Sequence, residues 1–280
     1  MKKILLLSAG LCALMTGFAQ DEPKEKPDTI KVGGMVIIRE KGKNNIEEKD
    51  DDNNRKEYHL TRRSSKRGVV TTNWIIPDIG FSNYNDQTNY SDPAVKALNA
   101  GPGVIDGDWF KLRPISSVNF NLWLFMQRIS LAKRVVNFKY GLGVEYNNYR
   151  LEDKTVRVGK NPFEVDQSFP NTLKKNKLGA SYITMPFMLN FNFTPNKKQT
   201  YGFSTGVSVG YLYRAYQKTK EGSNKNKTKG LDFDTWKISY VGEVSLGIVH
   251  LYGSYAMESL FTKDQLNMTP YTVGFRFSNW

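Results

Sequence analysis

Beyond residue 19, this 280-residue chain has no cysteine, few histidines and no long apolar run. Its one cysteine, Cys12, lies in the first nineteen residues, which read as a cleaved export signal. Lys2 and Lys3 open that segment, Ile4 to Met15 form its apolar stretch, and Gly17-Phe18-Ala19 ends it in a small-x-small pattern. The remainder then has no thiol, which excludes disulfides and thiolate metal sites. His59 and His250 are the only histidines and stand far apart, so no zinc site is expected. No later apolar run approaches the roughly 18 residues of a spanning helix. Mean hydropathy is −0.51. Acids are the minority charge: 27 against 40 lysines and arginines, a formal +13 that becomes +11 without Lys2 and Lys3. The basic residues are scattered, with no recognition helix or aromatic RNA-binding motif, so nucleic acid is not an expected partner.

Strict alternation is present. In Val136 to Arg150, VNFKYGLGVEYNNYR, Phe138, Tyr140, Leu142, Val144 and Tyr146 are apolar, while Asn137, Lys139, Gly141, Gly143, Glu145 and Asn147 are polar or small. Successive side chains on a strand point to opposite faces, so one face is apolar and the other polar or compact. The pattern recurs near residues 74–83, 116–128, 179–193, 201–216, 236–246, 249–257 and 271–277. Connectors alternate in length: long over about 84–115, 151–178 and 217–235, short near 132–135, 194–200 and 247–248. Aromatics make up 13% of the chain, enough for girdles at two membrane interfaces.

A sheet facing lipid on its apolar side must close, because lipid offers no partner to an open edge. The expected fold is therefore all-β: an eight-stranded antiparallel transmembrane up-and-down barrel over residues 74–280, placed in the outer membrane. Short turns and both termini are expected to be periplasmic. Residues 20–73 read as a polar periplasmic extension, largely disordered, with a possible hairpin in Thr29 to Arg39 and a solvated charge run in Glu47 to Asn54. Eight strands leave an interior filled by side chains. Asp78, Glu145, Glu243 and Glu258 with Lys139, Arg214, Lys237 and Arg276 are its expected polar network, paired because isolated buried charges are costly. His250 is expected to pair with an acid there. Phe138, Tyr140, Leu142, Val144, Phe203, Val207, Val209, Tyr211 and Phe275 are the expected lipid-facing set. Met126 is placed on the same outer face, and bulges are expected at Pro77 and Pro186. Leu142→Arg should block assembly, while Gly143→Ser should be mild.

The export signal ending before Gln20, the stretch Asp28-Thr29-Ile30-Lys31-Val32-Gly33 and the barrel-like C-terminal region resemble the outer-membrane β-barrel proteins of the Bacteroidota, the PorT-like group. That resemblance implies an integral outer-membrane protein and no particular activity. Trp280 suits the aromatic C-terminus read by barrel-insertion machinery, although its parity differs from that of Phe277.

No catalytic set emerges. Gly206-Val207-Ser208-Val209-Gly210 fits G-x-S-x-G but lies within a strand, away from the strand-to-helix turn that activates such a serine. Asp50 to Asn54 lacks the spaced ligands and turn glycine of a calcium loop, and Gly222 to Gly230 reads as a basic, flexible loop tip. No cofactor is expected. The favoured reading is a non-enzymatic barrel acting through external loops and periplasmic tail, in the envelope or a secretion machine. Its expected partners are outer-membrane lipid, the barrel-insertion machinery and an envelope protein. The alternatives are a soluble calycin-like carrier with apolar residues inside, and a barrel hydrolase.

Overall fold

The computed structural model describes residues 28–32, 35–39, 48–51, 55–58, 69–160, 162–195, 200–262 and 266–278. It divides into two compact units, Met1–Arg67 and Gly68–Trp280. The expected export signal and Trp280 lie outside the described residues.

In the first unit Asp28–Val32 pairs with Met35–Arg39, and Glu48–Asp51 pairs with Arg55–Tyr58, both antiparallel. The second pairing falls where a solvated charge run was expected. Its register runs from Glu48 opposite Tyr58 to Asp51 opposite Arg55.

The second unit contains eight long strands: β1 (Val70–Asp86), β2 (Val118–Ala132), β3 (Val136–Arg150), β4 (Lys175–Asn192), β5 (Tyr201–Glu221), β6 (Trp236–Leu246), β7 (Val249–Ala256) and β8 (Met268–Phe277). Each pairs antiparallel with its chain neighbours, and β8 pairs back onto β1 from Met268–Asp86 to Arg276–Asp78. The sheet is a closed up-and-down ring. Its first strand starts at Val70, four residues before Trp74.

Burial follows the alternation. Along β3 every odd residue from Asn137 to Tyr149 is buried and every even one half-buried. Where alternation breaks, a local irregularity is responsible. Ile75, with φ 53°, and Leu124 opposite it both turn outward, and the β2–β3 register shifts between Trp123 and Phe125. Trp123 and Met126 consequently both face inward and cluster with Ile76, which reverses the outward expectation for Met126. At Pro186 the register with both neighbouring strands continues without a shift, so no bulge forms there.

A further irregularity lies between β4 and β5, where Ser181 pairs with Arg214 and Tyr182 with Leu212. Tyr213 is the extra residue. Below it Ser204, Ser208 and Gly210 are buried; above it Ala215, Gln217 and Thr219 are. The inward set changes from even to odd, and Tyr213 and Arg214 both face out.

The short turns use positive φ where the chain must reverse tightly. Gly247 at φ 80° opens the two-residue link between β6 and β7. Gly222 at φ 55° does the same beyond β5, where Asn224–Lys229 folds back along Tyr216–Glu221. Gly at the first central position suits the primed turns that match strand twist. The segment read as a flexible loop tip is therefore a β-hairpin extending above the ring.

The long connectors also fold. Pro93–Lys96 forms a short helix capped by the Asp92 side chain, and Arg157–Val158 pairs with Val165–Asp166. Their apolar residues make a second core at the long-connector end, with Phe110, Val156, Phe163, Phe233 and Phe261 packed above the inward-facing Tyr149, Leu178 and Tyr182. Phe261 is its hub: Phe163 and Phe233 meet its ring edge-on at 5.5 and 5.1 Å between centroids.

Candidate functional site

The inward residues of neighbouring strands form cross-strand rows. One row runs Ser245, His250, Arg276, Asp78, Asn121 and Glu145, each opposite the next. The next runs Glu243, Tyr252, Gly274, Gly80, Asn119 and Asn147. These rows carry Asp78, Glu145, Glu243 and Arg276; with Lys139 and Lys237 from other inward positions, three acids and three bases lie buried in the ring's interior.

Arg276 is the centre of the network. Its Nε and one terminal nitrogen donate to Asp78 Oδ1 and Oδ2, each at 2.8 Å, and its other terminal nitrogen donates to Glu243. Trp123 Nε1 donates to Asp78 Oδ2 at 2.7 Å, and Asn121 adds a bond at 3.2 Å. The guanidinium also lies 5.2 Å from the Trp123 ring and 5.6 Å from that of Tyr252. Lys139 Nζ donates to Glu243 Oε1 at 2.6 Å, and His250 Nδ1 lies 2.8 Å from the same oxygen. A separate pair joins Lys237 to Glu145, which also accepts from Asn147 at 2.7 Å and Thr184 at 3.3 Å. Equal opposite charge, satisfied by further hydrogen bonds, is the condition under which buried ions persist.

Two glycines lie where the wall is tight: a Cβ at Gly80 or Gly274 would come within 2.4 Å of the facing backbone carbonyl and 2.8 Å of Tyr252, whose hydroxyl passes them to donate to Asn119. The void bounded by Asn121, Glu145, Thr184, Ser208 and Arg276 measures about 30 Å³, room for roughly one or two waters.

Two of the eight residues assigned to the interior lie elsewhere. Arg214 is exposed because the extra residue at Tyr213 reverses strand parity. Glu258 is exposed because β7 ends at Ala256, leaving it on the following connector. Sequence reasoning left Trp123 and Tyr252 out of the network. Trp123 follows the inward Asn119 and Asn121 in parity, and Tyr252 follows His250, so both could have been found by parity. Ser208 is buried inside β5, with no turn beside it.

On the outer face Phe203, Val207, Tyr211 and Phe275 are exposed, and Phe138, Tyr140, Leu142, Val144 and Val209 are half-buried among neighbours. Aromatics gather at two levels. Phe191 stacks on Phe203 at 4.7 Å near the short turns, and Tyr211 meets Trp236 at 5.1 Å toward the long connectors. Aliphatic residues such as Leu142, Val144 and Val207 lie between. A soluble carrier would have the reverse arrangement, with apolar residues inside and charge outside.

In the connectors Arg157 Nε donates to Asp166 Oδ2 at 3.1 Å. Burial pushes the Asp166 carboxyl up, but hydrogen bonds from Arg157 and Ser168 outweigh it and hold the group below its ordinary value. Among the described residues no group of three or more histidines, cysteines and carboxylates could hold a metal.

A closed eight-stranded ring, apolar outside and ion-paired within, defines a class of barrel. The chain belongs to the outer membrane protein beta-barrel domain family, whose pattern matches residues 110–262, more than half its length. It is an outer-membrane barrel protein. Among solved structures it is similar to Ail, the attachment invasion locus protein of Yersinia pestis. The two are 12% identical over 72% of this chain and 97% of that one, with a TM-score of 0.29. No curated protein matches it.

Proposed function

We propose that the chain is a non-enzymatic, non-conducting barrel that presents its long connectors outside the cell and both termini to the periplasm, acting as a structural or interaction platform. The observation that carries this reading is the interior network: Arg276, Asp78, Glu243 and Lys139 tie β1, β3, β6 and β8 across the lumen, where a pore would need an open path. The folded connectors support a platform role, because their aromatic core holds a defined surface above the barrel.

In this reading Phe138, Tyr140, Leu142, Val144, Phe203, Val207, Val209, Tyr211 and Phe275 face lipid. From Phe138 to Tyr146, about 3.3 Å per residue and a tilt near 40° give a rise of roughly 20 Å, comparable with an apolar band of about 25 Å. The Asp28 to Gly33 stretch and export signal favour a PorT-like member from the Bacteroidota, with an envelope or secretion-machinery partner. Insertion machinery and lipid complete the partner set.

The test is electrophoretic mobility of the outer-membrane fraction, boiled and unboiled, with conductance in planar bilayers. A boiling-dependent shift and silent bilayers are expected. Protein in the soluble periplasmic fraction without a shift, or steady ion current, would overturn the proposal.

A further inference from the structure

Above the apolar band the outer wall of β3, β4, β5 and the hairpin carries a row of cations. The registers set Arg150 opposite Lys177, Lys177 opposite Lys218, and Lys218 opposite Lys227. All four are on the outer face. The row above repeats the pattern, with Lys175 opposite Lys220 and Lys220 opposite Lys225. Like charges directly opposite on a sheet are unfavourable. Among the described residues no carboxylate forms an ion pair with the four cations of the first row. Lys177 donates to Asn148 Oδ1 at 2.5 Å, and Lys227 lies 3.8 Å from the Tyr216 ring centre. Glu221, at the hairpin bend, accepts from Thr172. Burial, with Lys175, Lys218, Lys227 and Arg150 close by, pushes the Lys177 ammonium down to about 8. Among the described residues no acidic group balances this wall.

Its position selects the anion. Arg214, turned outward by the extra residue at Tyr213, sits at the band's upper edge with its guanidinium 5.9 Å from the Tyr213 ring. The cation row lies roughly 10–15 Å higher, judged from about 3.3 Å per residue and a tilted strand. These side chains point sideways off the wall, where a barrel meets the head groups of neighbouring lipids. We propose that this wall binds the phosphates of an outer-leaflet lipid, a phosphorylated glycolipid seated between Arg214 and the Arg150–Lys177–Lys218–Lys227 row. The proposal rests on the barrel's being inserted with its long connectors outward.

The test uses full-length protein refolded in zwitterionic detergent, with diphosphoryl lipid A and the same lipid dephosphorylated as probes. Wild type should prefer the phosphorylated lipid, and the triple variant Lys177→Gln/Lys218→Gln/Lys227→Gln should lose on the order of a hundredfold in affinity, about fivefold per cation near a charged surface. Neutralising Lys96, Lys111 and Lys133, an equal loss of charge elsewhere, should change little. Equal binding of both lipids by wild type overturns the proposal whatever the variants do, as does a loss shared by the two triple variants. Orientation is read separately by labelling Ser223→Cys at the hairpin tip with a membrane-impermeant maleimide on intact cells. Labelling supports the outer-leaflet site. Labelling only after lysis overturns it through the orientation, and leaves phosphate recognition to be judged by the lipid pair.

Discussion

Arg276 bridges the carboxylates of Asp78 on β1 and Glu243 on β6; without it Glu243 keeps Lys139, but Asp78 is left buried with no cation beside it. Arg276→Met should cost about 3–5 kcal/mol, the range for breaking a buried pair by deleting one partner. Denaturant titration of the heat-modifiable form would measure it. Leu142→Arg should abolish assembly, since an arginine at mid-bilayer on the lipid face costs about 2–4 kcal/mol. The structure changes the companion expectation for Gly143→Ser. A Cβ there would come within 2.7 Å of the Leu122 carbonyl and of the Trp123 ring, so this change should also destabilise, by about 1–3 kcal/mol as overpacking does. The mild lumen substitution is Ser239→Ala, because that buried hydroxyl has no hydrogen-bond partner. Recovery of the unboiled form for the three variants would check the order. Lys177 gives a pH dependence. Its folded-state value of about 8 lies below the ordinary 10.5, so between them the unfolded chain binds more protons and stability rises with pH. Refolded wild type should resist denaturant better at pH 10 than at pH 7.5, and Lys177→Gln should flatten that difference.

At the scale of elements, the connectors and strands respond to different substitutions. Phe261→Ala removes the ring that Phe163 and Phe233 pack against and should cost about 3–5 kcal/mol locally. The connectors should then become protease-sensitive while the heat-dependent gel shift survives; loss of the shift would tie the connector core to barrel closure. Strands were the most legible elements in the sequence, because alternation in segments such as Phe138 to Tyr146 follows directly from the pleat. Asp78, Lys139, Glu145, Lys237, Glu243 and Arg276 could be placed by parity alone. Parity fails after an inserted residue, as at Leu124 and Tyr213, and nothing in the local composition marks either position. Connector packing was not legible, since Phe110, Phe163, Phe233 and Phe261 follow no period and meet only in three dimensions. The Gly222-Ser223 turn signal was there to be read, but the surrounding lysines drew the segment toward a solvated loop.

For the whole molecule, the ring removes its own strand ends from the reach of other chains, but the hairpin does not. Asn224–Lys229 pairs with β5 on one side and ends the sheet on the other, leaving a row of backbone donors and acceptors that a second copy could extend. Lys225, Lys227 and Lys229 alternate along that margin, and charge at an open sheet margin opposes edge-to-edge pairing. Replacing all three with valine should convert monodisperse detergent-solubilised protein into dimers and larger species, seen by light scattering. In a membrane crowded with identical barrels, these lysines act as spacers that keep one copy's sheet from continuing into the next.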